Sequence, residues 1–225
     1  MKIAFVHDRI VTMWWAEKVF LDIINSTQFD EAEIFTVFSN LDNITVNNKV
    51  IKINKIISSN FLLKKIWYRN FMPIFAILIY LLSIRIKKYN PDKAIISSFA
   101  IAKNIDFKWY KSIYIHSPMQ YIWDNYEEYV SKFRWFKKLV YIFVSKYLRK
   151  WDTKHKTFDE IYANSRYTSW LIKKIYWLES KIKYPQINKD FINEPVSSQK
   201  KDYFVYIWRL VKYVREVEKI IKLFN

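Results

Sequence analysis

The sequence predicts an α/β fold organised as a doubly wound parallel sheet, and three observations predict it. Short apolar runs rich in β-branched residues alternate with stretches of helical spacing along most of the chain. Several of those runs end in polar residues, as ligand-binding strand ends of open α/β sheets do. No stretch reaches the roughly 18 to 20 apolar residues of a membrane-spanning helix, so the 52% hydrophobic content is destined for a core.

Taken in order, Lys2 to His7 is an apolar strand, and Ala16 to Ile24 has helical spacing through Val19, Phe20, Ile23 and Ile24. Glu33 to Phe38 and Lys49 to Ile57 alternate as strands. A long helical region with a break near Pro73 runs from Phe61 to Lys88. It reads as a buried core helix; the alternative is a face that dips into a membrane interface, with Lys64, Lys65, Arg69, Lys87 and Lys88 on lipid phosphates. Asn90-Pro91-Asp92 is a turn, Lys93 to Ile96 a strand leaving through Ser97-Ser98, and Ser112 to Ile115 a strand ending at His116. Ser131 to Arg149 is an amphipathic helix. Glu160 to Ala163 is a strand, and Ser165 is placed to N-cap a helix over Arg166 to Tyr176. After a short extended piece at Ile182 to Tyr184, residues 188–202 are polar and lysine-rich, which suits a linker. Tyr203 to Ile207 is again a strand, and a helix follows from about Arg215. The organisation is therefore one domain over 1–187, a linker over 188–202, and the start of a second βα domain over 203–225.

Composition narrows the classes. With no cysteine and three scattered histidines (His7, His116, His155), no disulfide and no metal site are expected. The N-terminus begins at once as a strand, without a signal peptide's basic and apolar regions, which points to the cytoplasm. The net charge of +17 is compatible with nucleic acid, an anionic membrane surface or negatively charged substrates, and also with simple lysine-rich composition. Helix-turn-helix, RNP and zinc-finger patterns are missing and the basic residues are spread, so nucleic acid is not the expected partner.

Glycine is absent, where ordinary usage of about 7% predicts roughly 16 residues, while Trp occurs 10 times. Trp14-Trp15 fall between the first strand and helix, in a place suited to a tight polar turn. Our reading is that several tryptophans stand where the natural protein has glycine, the gene coming from a lineage that reads UGA as glycine. The first βα loop then becomes Gly-Gly-Ala-Glu-Lys, through which backbone N–H groups and a helix N-terminus could approach a phosphate.

Polar residues close four strands: His7-Asp8, Ser97-Ser98, His116 and Asn164-Ser165. His116 could donate to a sugar hydroxyl or take part in acid–base work. Arg209, directly after the strand at 203–207, could pair with a diphosphate as charge builds on a departing nucleotide.

The segments MKIAFVHDRIVTMWWAEKV (1–19), IISSFAIAK (95–103), YIHSPMQYIWD (114–124), LRKWD (148–152), YANSRYT (162–168) and YFVYIWRL (203–210) follow one another as in retaining glycosyltransferases of family 4. They most resemble the branch with bacterial mannosyltransferases of surface polysaccharide assembly. The resemblance implies a GT-B architecture: a Rossmann-like acceptor-side domain, then the first βα unit of a Rossmann-like donor-binding domain. It implies transfer of a sugar, mannose as first guess, from a GDP- or UDP-sugar to a lipid-linked or polysaccharide acceptor, with retention, without a cofactor and without a required metal. The enzyme would work in the cytoplasm, at the inner face of the membrane where its acceptor lies. Trp14, Trp15, Arg209 and Lys212 would face the donor and His116 the transferred sugar, while Asp8, Ser98, Asn164 and Ser165 lie on the acceptor side. Val214 stands where the family has a lysine, with Lys212 only nearby, and Gln120 stands where the branch often has arginine. The family's paired glutamates would lie beyond Asn225, so this chain alone is expected to be inactive. Trp123 and Trp151 match genuine tryptophans of the branch; Trp14, Trp15 and Trp208 match glycines, with Trp170 and Trp177 as further candidates. The competing reading is a non-catalytic basic module that binds membrane surfaces.

Overall fold

The computed structural model describes residues 1–11, 13–58, 72–154, 157–186, 202 and 217–224. The chain divides into two compact units, Met1–Gln186 and Ile187–Asn225. In the second, the helix Val217–Phe224 is described; the strand expected over 203–207, Trp208, Arg209 and Lys212 lie outside the described residues.

The first unit is an α/β layer structure around an eight-stranded sheet. Its strands are β1 (Lys2–Ile10), β2 (Glu31–Ser39), β3 (Asn43–Val46), β4 (Lys49–Ser58), β5 (Lys93–Ser98), β6 (Tyr110–Ile115), β7 (Glu160–Ala163) and β8 (Lys181–Ile182). Its helices are α1 (Trp15–Asn25), α2 (Phe75–Tyr89), α3 (Tyr126–Ser131), α4 (Trp135–Asp152) and α5 (Arg166–Tyr176). The spatial order is β3-β4-β2-β1-β5-β6-β7-β8, parallel throughout except at β3-β4. Numbered among themselves, the parallel strands run third, second, first, fourth, fifth, sixth, seventh. That is the Rossmann-like order of doubly wound sheets, and its direction of winding reverses between β1 and β5.

The alternation of side chains along β1 explains the two layers. Ile3 and Phe5 join Phe20 and Ile24 of α1 on one face. Ala4 and Val6 join Phe75, Leu82, Leu148 and Ile172 on the other, so α2, α4 and α5 cover that face. Strands buried on both faces read as continuous apolar runs, which is why they were legible.

Three details differ from expectation. The strand β3 was not anticipated: it pairs antiparallel with β4 through Asn47-Asn48, whose φ values of 49° and 61° make the two-residue turn that hairpins favour. The helix expected over Ser131 to Arg149 is α4, which begins at Trp135 and runs on to Asp152; Ser131 ends the preceding helix α3, and Arg134, extended at φ −91° and ψ 144°, separates the two. The region from Phe61 is described only from Met72, where a short 3-10 turn containing Pro73 leads into α2.

The described tryptophans that the resemblance sorts fall into two groups. Trp123 and Trp151 pack against the core, and the Trp123 indole donates to Asp152 at 2.9 Å. Trp14, Trp15, Trp170 and Trp177 are each more than half exposed. Trp177 also ends α5 in the left-handed conformation, with φ 55° and ψ 33°, the helix-terminating position that favours glycine. The other left-handed residues described are all asparagine: Asn47, Asn48 and Asn90.

Trp177→Gly should therefore stabilise the protein by about 1 kcal/mol, because a Cβ at positive φ costs about 1–2 kcal/mol. Trp123→Gly should instead cost about 3 kcal/mol or more through lost packing and the lost hydrogen bond to Asp152. Denaturant midpoints of the two variants check both signs; a Trp177→Gly variant less stable than the parent would contradict the backbone reading.

Candidate functional site

In an open parallel sheet a ligand binds beyond the carboxyl ends of the strands where the winding reverses. Here that place lies between β1 and β5, whose ends are paired in register His7↔Ser97. Side-chain alternation sends the polar residues there to opposite faces.

His7, Ser97 and His116 project toward the α1 side. His7 Nδ1 lies 2.9 Å from the Ser97 carbonyl, and Ser97 Oγ lies 2.8 Å from His116 Nε2. Both rings are buried: His7 stacks on Phe20 at 4.6 Å, and His116 lies under the Trp15 indole at 5.5 Å and beside Tyr114 at 5.0 Å. Burial pushes both imidazoles down to about pKa 3; the neighbouring His7 lowers His116 further, and Arg9 does the same to His7. Both are neutral at pH 7. Because a carbonyl can only accept, the Nδ1 of His7 carries its proton and its Nε2 is a bare acceptor. When the Ser97 hydroxyl donates to His116 Nε2, the proton of His116 sits on Nδ1. Neither His7 Nε2 nor His116 Nδ1 has a hydrogen-bond partner among the described residues. A buried polar nitrogen without a partner costs about 1–3 kcal/mol, the kind of cost that persists at ligand sites.

Asp8 and Ser98 project to the other face. The Asp8 carboxylate accepts from the backbone N–H groups of Phe99, Ala100, Ile101 and Ala102 at 2.6–3.0 Å, and more distantly from Ser98 Oγ at 3.4 Å. Ser98 Oγ in turn accepts from the Lys103 N–H at 3.2 Å. Asp8 is only 3% exposed. These two residues hold the turn after β5, which continues into a 3-10 turn at Ala102–Asn104.

The first turn of α1 stands over the same crevice. Its N-cap, Trp14, makes no side-chain cap, and Trp14 and Trp15 present half-exposed indoles. Glu17, a residue to which the sequence attached no role, is buried in this turn. Its carboxyl accepts from its own N–H and that of Trp14, and desolvation raises its pKa. Arg9, at the end of β1, lies close enough to Glu17 and His7 to perturb both, with its guanidinium 5.4 Å from the Phe99 ring. Glu17 could have been singled out as an acid inside an apolar helix face, flanked by Val19 and Phe20.

One strand further on, Ser165 caps α5 by accepting from Thr168 N at 3.1 Å, and its hydroxyl also lies 3.1 Å from Asn164 Oδ1. Thr168 Oγ1 donates to the His116 carbonyl at 3.3 Å, which ties the β7 end to the His116 loop. The structure thus gathers His116, Trp15, Ser97 and His7 at one point, puts Asp8 and Ser98 on the opposite face, and sets Asn164 and Ser165 at the neighbouring strand end.

A cleft of about 700 Å³ opens elsewhere, at the amino ends of the strands, between α2 and the end of α4; Lys108, Lys111 and Trp151 help line it. It shares the turn residues Lys103 and Asn104 with the strand-end region but is lined by none of His7, Asp8, Ser97, Ser98 and His116. Among the described residues no group of three or more His, Asp or Glu gathers where a metal ion could be held, and no helix is long and apolar enough to cross a membrane. No protein-family model, no curated relative and no solved structure matches this chain.

Two outcomes test the electrostatics. The unfolded chain takes up protons on these histidines near pH 6.5 and the folded chain only near 3. Stability attributable to them is thus full above pH 6.5 and lost as the pH falls, by up to about 1.4 kcal/mol per pH unit for each histidine. Urea midpoints measured from pH 7 to about pH 5, above the carboxylate range, check it, and a flat profile would contradict neutral burial. In Trp15→Gly, loss of the covering indole should raise the His116 pKa from about 3 toward 6.5. NMR titration of the imidazole reads the shift directly; an unmoved His116 would mean that Trp15 does not shield it.

Proposed function

We propose that this chain belongs to a retaining GT-B glycosyltransferase that moves a sugar, mannose as first choice, from a GDP- or UDP-sugar to a lipid-linked or polysaccharide acceptor. The observation that carries the reading is the meeting of His116, Ser97 and the first turn of α1 at the reversal point of the sheet. The ordered motifs of family 4 supply the reaction class.

The residues divide the work as follows. A departing nucleoside diphosphate gathers negative charge, which the positive end of α1 and the Arg9 guanidinium stabilise. Glu17 would oppose that charge if ionised; burial favours its protonated form, which reduces the repulsion. His116 is a poor base, since an imidazole with a pKa of about 3 gains little by taking a proton at pH 7. Its role is instead to donate from Nδ1–H to a hydroxyl of the transferred sugar, with Ser97 fixing the tautomer. Trp14 and Trp15 occupy the phosphate approach. Glycine at both positions, as in the family resembled, would let the diphosphate reach the helix amides. The resemblance assigns Arg209 and Lys212, which lie outside the described residues, to the donor phosphates. Asp8 and Ser98 act on the acceptor side through the turn they hold, and Asn164 and Ser165 border the acceptor beside them. The lipid-linked acceptor implies work at the cytoplasmic face of a membrane.

The test is sugar transfer from labelled GDP-mannose and UDP-glucose into membrane lipid by the protein expressed from its own gene under its own genetic code. Transfer is expected, and His116→Ala should lower kcat by about a hundredfold or more while leaving the fold intact, the magnitude typical of losing a preorganised donor. Full activity in His116→Ala would remove His116 from the mechanism. Membrane binding without transfer from any donor would favour the non-catalytic module.

A further inference from the structure

The helix α4 is apolar on the side that faces away from the protein. Its buried line is Tyr141, Ser145, Leu148 and Asp152, one residue every three or four, as a core-facing helix requires. On the opposite arc Trp135, Phe136 and Phe143 are 85%, 72% and 71% exposed, and Leu139, Val140 and Tyr147 are 44–51% exposed. A solvated helix carries polar residues there. Six large apolar side chains on one outward arc form a contiguous patch of the kind that marks an interaction surface.

The neighbouring helix repeats the pattern. α2 shares the hydrophobic cluster on the same face of the sheet, and Ile77, Tyr80, Leu81 and Ile84 are 42–64% exposed at i, i+3, i+4 and i+7. Two adjacent helices therefore offer apolar stripes to the outside of one layer.

Charge selects the occupant. α2 contains no Asp or Glu, and the sole acid of α4 is Asp152, which is fully buried and paired with Lys103 at 3.1 Å. The basic residues of the layer include Lys137, Lys138, Lys146 and Lys150 on α4 and Lys88 on α2, all exposed. Trp, Phe and Tyr make up four of the six outward residues of α4. Amphipathic aromatics among long basic side chains suit the boundary between head groups and acyl chains, where the rings enter the apolar zone and the ammonium groups reach lipid phosphates. A second copy of the chain would set two equally basic faces against each other, which a protein at +17 disfavours.

We infer that the outward faces of α2 and α4 dock this protein on an anionic lipid bilayer, with Trp135, Phe136 and Phe143 inserted and Lys137, Lys138 and Lys146 on the lipid phosphates. The inference stands on exposure and charge alone and holds whether or not the chain transfers sugar.

Sedimentation of the full chain with vesicles tests it, without any donor or acceptor. Binding is expected to vesicles of equal parts phosphatidylglycerol and phosphatidylcholine, and to weaken with added salt and on pure phosphatidylcholine. Phe136→Ser with Phe143→Ser should weaken binding at least about tenfold through lost apolar burial. Lys137→Glu with Lys138→Glu should weaken it only on the anionic vesicles. These side chains are exposed, so both variants should keep the parent's circular dichroism and urea midpoint. Absence of binding by the parent overturns the inference, as does equal binding by the Phe136/Phe143 variant. It is also overturned if the parent sediments as a dimer that this variant dissolves, because a second copy then covers the face.

Discussion

The turn that follows β5 is held from two sides, and the geometry of the strand-end site depends on that clamp. From β1, the Asp8 carboxylate takes four successive backbone N–H groups, those of residues 99 to 102. Those amides lie in or beside the core, where leaving each without a partner would cost about 1–3 kcal/mol. A few residues on, the fully buried Lys103 ammonium meets Asp152 at the end of α4 and also donates to the Ala100 carbonyl. A buried lysine is tolerable only when paired, and a buried aspartate only when its remaining lone pairs are filled. Asn104, the Trp123 indole and the Tyr176 hydroxyl fill them at 2.7–3.0 Å. One network of charge-assisted bonds therefore joins the ends of β1, β5, α4 and α5.

That clamp lets the other face of the same strand ends remain incompletely satisfied. His7, Ser97 and His116 share two hydrogen bonds and leave two ring nitrogens without partners among the described residues. Neutrality makes this affordable, since burial holds both imidazoles far below their ordinary pKa. A protonated ring in the same place would carry a desolvation cost that the Asp8 carboxylate, turned to the opposite face and bound by amides, offsets only in part for His116. The same alternation of side chains that builds the two hydrophobic layers thus separates a structural carboxylate from a pair of neutral, hydrogen-bonding imidazoles.

Much of the sheet was legible because its chemistry is local. Apolar runs marked the strands, and Ser165 ahead of a helical pattern marked an N-cap that the structure places on the Thr168 N–H. What escaped was non-local. Asp8 reads as a strand-end acid on the acceptor side; that it faces inward follows only from a partner segment about ninety residues away. The His7–Ser97–His116 chain has the same origin, requiring β1, β5 and β6 to be neighbours before any spacing can suggest it. The hairpin of β3 was missed for a different reason. Asn47-Asn48 is a turn signal, but without glycine it is weaker than the pairs that usually announce a two-residue hairpin.

A chain without glycine has few ways to place a residue at positive φ, and the distribution here is informative. Three of the four described cases use asparagine, whose short polar side chain tolerates the left-handed region. The fourth is Trp177, a bulky residue that gains nothing there and leaves its indole 78% exposed. Trp123, in contrast, uses both its ring and its N–H inside the protein. Selection for an indole explains the second residue and not the first, whereas selection for backbone freedom explains a glycine at 177. The same distinction applies at Trp15, whose ring closes over His116. There a residue without a side chain would turn a covered imidazole into an accessible one, so the chemistry attributed to the site and the identity of residue 15 stand or fall together.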